Sequence, residues 1–151
     1  INPKRVCVFG MSLGAVISSV LVSISEDITH AYILAGGGNL SEISQNSNQS
    51  IVVNFKKNII ANGSATEENW LDRVKQTFSF EPIDYAKYAA NKKIFMIMCE
   101  SDIVIPYKNQ LELWNAFGKP PSSTSTFHSH VGTIIKWVIK SRNDLITFVN
   151  E

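Results

Sequence analysis

One stretch, residues 5–15, constrains the fold most, because it contains a buried strand, a tight turn and the start of a helix. Residues 6–9 form an unbroken apolar run, typical of a strand in a parallel sheet covered on both faces. The sequence Gly10-Met11-Ser12-Leu13-Gly14 follows, and apolar residues then recur at helical spacing over residues 15–24. The pattern predicts a strand-to-helix turn that holds the hydroxyl of Ser12 out for reaction.

Glycines stand two residues before and two residues after Ser12. A tight turn brings backbone segments closer together than a Cβ allows. We therefore expect both Gly10 and Gly14 to be required by close backbone contacts.

Length and composition are those of one ordinary domain. The chain has 151 residues, of which 44% are hydrophobic, and its net charge is +1. No run of Lys or Arg exceeds two residues, which argues against binding to nucleic acid or to an anionic membrane. The longest apolar stretches are short or interrupted by serine, so no membrane span is predicted. We expect residues 1–151 to form a single domain that lacks an N-terminal part.

Strand-like and helical patterns alternate along the chain. Three more strands are predicted over residues 29–35, 94–99 and 122–127, the last at a sheet edge. Pro106 is expected to open a helix that ends near Gly118, and two short helices are expected over residues 131–140 and 143–149. In these last helices four side chains should point inward: Trp137, Ile139, Ile146 and Phe148. The class is α/β, with a mainly parallel sheet of about four strands and helices on both faces.

The segment between the second and third strands is unusually long. Its first part, residues 39–50, is rich in Ser, Asn and Gln and suits a solvated loop or a mobile flap. Helices are predicted over residues 51–60 and from Thr66, a candidate N-cap, to about Phe78. We expect residues 39–90 to form a cap-like insertion, although an ordinary crossover with additional helices remains open.

Three polar residues lie just past the ends of predicted strands. Ser12, Asp102 and His130 follow the first, third and fourth strands, and the carboxyl ends of parallel strands are where such sheets place their sites. A serine nucleophile needs a base, and that base needs a carboxylate to fix its tautomer. Each residue alone has a structural explanation, as a helix cap or a buried histidine. Together they indicate a catalytic triad.

The chain resembles the C-terminal half of an α/β-hydrolase of the esterase and peptidase-like kind. The resemblance implies that Ser12 is the nucleophile, Asp102 the acid and His130 the base. It also implies that the backbone N–H of Leu13 is one oxyanion donor, whereas the loop that carries the second donor is missing from the sequence. The motifs that carry the resemblance are Gly10-Met11-Ser12-Leu13-Gly14, Ser101-Asp102-Ile103-Val104-Ile105-Pro106, the segment 113–120 and His130-Val131-Gly132-Thr133.

Alternatives exist for the acid and for the base. Glu100 also ends the third strand, but family acids precede a hydrophobic-Pro turn, which favours Asp102. His128 competes with His130, which is favoured because it stands before a short x-Gly-x helix start. The third histidine, His30, begins a strand and is expected to be structural.

The predicted function is a serine hydrolase that cleaves a carboxylic ester through an acyl-enzyme. A peptidase or thioesterase would use the same residues, and a non-catalytic hydrolase-like fragment or binding domain is the alternative. The expected partner is a small-molecule ester or acyl substrate, with no cofactor and no metal. Cys7 and Cys99 are expected to be free thiols, which mildly favours the cytoplasm; localisation and oligomeric state stay open.

Overall fold

A parallel sheet organises the chain. The computed structural model describes residues 4–77 and 80–150, except for the side chains of residues 51 and 140–142. Within these residues four strands lie in the order β1-β2-β3-β4, and every neighbouring pair is parallel. The strands are β1 (Cys7–Met11), β2 (His30–Leu34), β3 (Lys93–Cys99) and β4 (Thr124–Thr126).

Helical segments connect the strands, and seven of those in the described residues are α-helices. The first is α1 (Leu13–Ile24), between β1 and β2. Between β2 and β3 the chain forms α2 (Leu40–Asn46), α3 (Ser50–Ala61), α4 (Trp70–Thr77), α5 (Pro82–Tyr85) and a 3₁₀ turn (Ala86–Ala89). The remaining two are α6 (Tyr107–Ala116) and α7 (His130–Asn150).

The core lies on both faces of the sheet. Alternate residues of a strand face opposite sides, so Ile33 and Met96 pack with α1 and α6 on one face. Tyr32, Leu34 and Ile97 pack with Phe148 of α7 on the other face. This arrangement confirms the predicted α/β class, with a parallel sheet and helices on both faces.

A smaller cluster lies apart from the sheet, between α3 and α4. Ala65, Trp70 and Val74 are buried there against Ile59. The helical segment between β2 and β3 therefore has a small core of its own. Its covering role, predicted for residues 39–90, stays a prediction.

Residues 40–46 form the helix α2, so the prediction of a solvated loop was wrong for this part of residues 39–50, while the alternative of a mobile flap stays a prediction. The Asn39 side chain caps the helix by accepting from the Glu42 N–H at 3.4 Å. A Glu81 carboxylate oxygen accepts from the Leu40 N–H at 2.8 Å, which places a negative charge at the helix N-terminus. Composition alone favoured a loop because it contains no sign of this distant partner.

The C-terminal segment is one helix, α7, rather than the two short helices predicted. No glycine or proline interrupts the sequence between its two halves, so the helix continues through a polar stretch. Phe148 is buried and Trp137 partly buried, as expected. The prediction was wrong for Ile139 and Ile146, which are 79% and 51% exposed.

Other boundaries differ by a few residues. The strand predicted over residues 6–9 is observed as Cys7–Met11, because Gly10 and Met11 continue the pairing with β2. The helix predicted from Thr66 begins at Trp70. Thr66 and Asn69 exchange hydrogen bonds in the turn before it, each side chain accepting from the other residue's N–H, at 3.2 and 2.7 Å, which is the pattern expected of a capping threonine. The predicted helix end at Phe78 lies outside the described residues.

Candidate active site

Ser12 occupies a sharp turn between β1 and α1. Its φ of 53° and ψ of −122° lie where a residue with a Cβ is strained, at a cost of about 1–3 kcal/mol. Backbone contacts hold this conformation: the Ser12 N–H donates to the Leu34 carbonyl at 3.0 Å, and the Ser12 carbonyl accepts from the Val16 N–H at 3.1 Å. The turn therefore fixes the direction in which the hydroxyl points.

The two glycines around Ser12 differ in their surroundings. A Cβ on Gly10 would lie 2.2 Å from the Gly14 carbonyl oxygen and 2.4 Å from Ser18 Oγ, closer than any real contact. A Cβ on Gly14 would meet nothing within 4 Å. The expectation that close contacts require both glycines was therefore wrong for Gly14, since the backbone approach is confined to the Gly10 side of the turn.

The structure brings together the three polar residues that follow the strands. Asp102 lies in the turn between β3 and α6, and His130 is the first residue of α7, just after β4. His130 Nε2 lies 2.9 Å from Ser12 Oγ, and His130 Nδ1 lies 2.6 Å from Asp102 Oδ2. Asp102 and His130 are buried, whereas Ser12 is half-buried. The imidazole therefore bridges the hydroxyl and the carboxylate.

The hydrogen bonds determine the tautomer of His130. A carboxylate oxygen only accepts hydrogen bonds, so the Nδ1 facing Asp102 carries a proton. In the neutral ring, Nε2 is then the acceptor, and it faces the Ser12 hydroxyl. This arrangement can remove the proton from the hydroxyl and hold it on a cation stabilised by Asp102.

The Asp102 carboxylate has four hydrogen-bond donors. Oδ1 accepts from the Val104 and Ile105 N–H groups at 2.8 and 2.9 Å. Oδ2 accepts from Gln110 Nε2 at 3.1 Å as well as from His130 Nδ1. Donors on both oxygens fix the rotation of the carboxylate, and with it the position of the imidazole.

Sequence reasoning missed Gln110. This residue is fully buried, its Oε1 accepts from the Cys99 N–H at 2.9 Å, and its Nε2 also donates to the Ile105 carbonyl at 2.7 Å. A signal existed, because Gln110 stands one helical turn before Leu113 and Trp114, on the apolar face of α6. A long amide on a buried helix face needs polar partners, and the nearby Asp102 loop supplies them.

The alternative residues lie in other environments. Glu100 accepts a hydrogen bond from the Ser125 hydroxyl, and His128 Nε2 lies 2.9 Å from Lys136 Nζ at the surface. His30 begins β2, where it is buried with Nδ1 2.7 Å from Thr29 Oγ1. Burial, together with the charges of Lys93 and Arg5, lowers the pKa of His30 below its usual value. None of these three side chains contacts Ser12.

The backbone N–H of Leu13 lies at the start of α1. The first N–H groups of a helix have no acceptor within it, and no described residue outside the helix accepts from Leu13. A helix N-terminus also carries a partial positive charge. The group is therefore available to a negatively charged oxygen next to Ser12.

The two cysteines are free thiols. They lie on β1 and β3, which are separated by β2. Burial raises the pKa of Cys99 to about 11, although a hydrogen bond with Thr133 acts in the opposite direction. Burial also raises the pKa of Cys7 to about 11. Both thiols are therefore protonated at neutral pH and behave as apolar groups of the sheet.

Residues 4–77 and 80–150 contain neither a group of metal ligands nor a membrane-spanning helix. In this part of the chain no three His, Cys, Asp or Glu side chains come together as metal ligands. None of the described helices is long and apolar enough to cross a membrane.

Comparison with known proteins gives matches in structure only. No family model and no curated protein matches the sequence. An esterase of Pyrococcus furiosus matches 97% of this chain at 19% identity and a TM-score of 0.64. An acetyl xylan esterase of a Paenibacillus species matches 99% at 14% identity and a TM-score of 0.73. The acylaminoacyl peptidase of Pyrococcus horikoshii matches 89% at 15% identity and a TM-score of 0.63.

These matches show that the chain has an α/β-hydrolase-like fold. The chain spans only part of each similar structure: 53% of the Pyrococcus furiosus esterase, 46% of the acetyl xylan esterase and 21% of the peptidase.

Proposed function

We propose that this chain carries the catalytic triad of a serine hydrolase that cleaves a carboxylic ester. The observation that carries the proposal is the position of His130, which faces the Ser12 hydroxyl with one ring nitrogen and the Asp102 carboxylate with the other. The strained conformation of Ser12 supports it, because backbone strain is concentrated at functional sites. The names of similar structures, which include two esterases and a peptidase, also support it.

The reaction would proceed in two halves. Ser12 Oγ attacks the carbonyl carbon of the ester while His130 Nε2 takes the hydroxyl proton, and the Leu13 N–H stabilises the negative charge on the carbonyl oxygen. His130 then gives the proton to the leaving alcohol, and an acyl group stays on Ser12. Water attacks this acyl-enzyme with His130 again as base, which releases the acid and restores the serine.

Labelling with a fluorophosphonate probe tests the nucleophile. The probe forms a covalent bond only with an activated serine, so we expect the chain to label at Ser12 and Ser12→Ala to remain unlabelled. If the folded chain does not label, or if Ser12→Ala labels equally, the hydrolase proposal fails. A non-catalytic, hydrolase-like binding domain would then be the better description.

Two histidine variants form a matched pair for the base. We expect His130→Ala to lower the labelling rate by about a thousandfold or more, because Ser12 loses its proton acceptor. His128→Ala removes a surface imidazole two residues away and should keep most of the rate. The reverse result would assign the base to His128.

A further inference from the structure

A cavity of about 550 Å³ lies beside the helices α3 and α4, which supply most of its lining residues. This volume is within the usual range of small-molecule sites. No residue of the proposed triad lines the cavity, so it is distinct from the site around Ser12. The described lining residues are Ser44, Val52, Phe55, Ile59, Ser64, Trp70, Arg73, Val74 and Thr77.

The walls of the cavity are mainly apolar. Val52, Ile59 and Val74 are aliphatic, and the rings of Phe55 and Trp70 meet edge to face with centroids 6.1 Å apart. Phe55 is 59% exposed, so part of its ring is open to a ligand. Two of the three hydroxyls in the walls already donate to backbone carbonyls, Ser44 to Ser41 at 2.9 Å and Thr77 to Arg73 at 2.8 Å. The walls therefore suit a hydrocarbon chain better than a sugar or a peptide.

One of the described lining residues carries a charge. Arg73 is exposed at the edge of the cavity and forms no ion pair with any described residue. Lys56, whose Nζ lies 6.0 Å from the centroid of the Trp70 ring, is instead paired with Glu67 at 2.6 Å. Arg73 is therefore free to bind an anion, and a guanidinium matches a carboxylate with two parallel hydrogen bonds.

We propose that this cavity binds a fatty acid, with the hydrocarbon chain against Phe55 and Trp70 and the carboxylate on Arg73. The apolar walls and the charge of Arg73 both contribute to binding in this arrangement. Burial of the hydrocarbon chain supplies most of the affinity, because each buried methylene raises the binding constant about fourfold. The guanidinium at the edge fixes the direction of the hydrocarbon chain and disfavours cationic amphiphiles.

Calorimetric titration with three single-chain probes tests the chemistry of the ligand. Decanoate, nonan-1-ol and nonyltrimethylammonium, each below its micelle concentration, carry the same nine-carbon alkyl chain and differ only in the head group. We expect one equivalent of decanoate to bind, nonan-1-ol to bind about fivefold more weakly, and the ammonium compound to bind more weakly still. No binding of decanoate, or equal binding of the cation, overturns the proposal.

Variants of α4 test the site. Arg73→Gln should weaken decanoate binding about fivefold and leave nonan-1-ol binding unchanged. Lys75→Gln is the matched control, because Lys75 is an exposed cation on the same helix that does not line the cavity. Equal effects of the two variants on decanoate would overturn the assignment to Arg73.

A third variant tests the cavity itself. Ile59→Trp places a larger side chain in the cavity and should abolish binding of both decanoate and nonan-1-ol, with the fold checked by circular dichroism. If Ile59→Trp misfolds, the comparison of Arg73→Gln with Lys75→Gln still tests the site. Ser12→Ala should bind decanoate as the unaltered chain does, which keeps this result separate from the proposed hydrolase activity. Loss of binding in Ser12→Ala would show that the ligand lies at the triad instead.

Discussion

The Gln110 side-chain amide donates to Asp102 Oδ2, the same oxygen that faces His130 Nδ1. The partners of Gln110 also fix its orientation, because its Oε1 must face the Cys99 N–H. Gln110 thus joins the end of β3 to the carboxylate that orients the imidazole. We expect it to act as a positioning residue for the proposed triad.

Replacing Gln110 by Glu tests this role with little change of shape. Glu still offers Cys99 an acceptor but removes a donor from Asp102 and adds a carboxyl group beside it. We expect the labelling rate of Ser12 to fall about ten- to hundredfold, the size of effect seen when a metal-binding side chain loses the hydrogen-bonded partner that orients it. An added negative charge favours protonated His130, so the acid limb of the pH profile of labelling should move to higher pH. A lower rate with an unchanged acid limb would indicate a purely structural role.

Alanine at the two glycines of the turn should have opposite consequences. Gly10→Ala would bring a Cβ to 2.2 Å from the Gly14 carbonyl, so the free energy of unfolding should fall by about 1–3 kcal/mol or more. Gly14→Ala has open space around it within α1, so the same measurement should show no loss and a gain of up to about 1 kcal/mol. Urea unfolding of both variants checks this. Equal losses of unfolding free energy in the two variants would contradict the argument that only Gly10 is in close backbone contact.

Ser12 itself should be a source of instability. Its positive φ is unfavourable for any residue with a Cβ but not for glycine. We expect the free energy of unfolding of Ser12→Gly to exceed that of Ser12→Ala by about 1 kcal/mol or more. Both variants lack the hydroxyl, and only alanine keeps the backbone strain. Urea denaturation of the two variants measures this difference. A glycine variant less stable than the alanine variant would show that the conformation costs little.

His30 should make the protein less stable in acid. Its folded-state pKa lies below its usual value of 6.5, so as the pH falls through 6.5 the unfolded chain takes up a proton that the folded chain resists. The free energy of unfolding should therefore fall with pH in this range, by at most about 1.4 kcal/mol per unit from this residue. His30→Gln should flatten the slope in urea titrations between pH 7.5 and 5. His128→Gln is the control, since His128 is exposed, and an equal effect of both would contradict the assignment.

The sequence predicted well what depends on local pattern. The apolar runs before Ser12 and Glu100, together with the helical spacing after Ser12, were enough to place β1, β3 and α1 within a few residues. The order of Ser12, Asp102 and His130 along the chain predicted their convergence because parallel strands end at one edge of the sheet.

What the sequence did not predict depends on distant partners. The helix α2 has a local cap, Asn39, which the composition of residues 39–50 obscured, and a second acceptor, Glu81, some forty residues away along the chain. The different surroundings of Gly10 and Gly14 follow from how α1 packs, and Gln110 becomes important only when the Asp102 loop folds over it. Each depends on an approach of backbone segments that periodicity does not encode.

The bond between Ser12 and His130 joins residues 118 positions apart in the chain. Ser12 follows β1 and His130 follows β4, and these strands lie at opposite ends of the strand order, with β2 and β3 between them. A folding intermediate with only the first two strands would therefore hold the hydroxyl in its turn without any base. The reactivity of Ser12 should consequently appear late in refolding, after most of the secondary structure, and would report the completed assembly of the sheet.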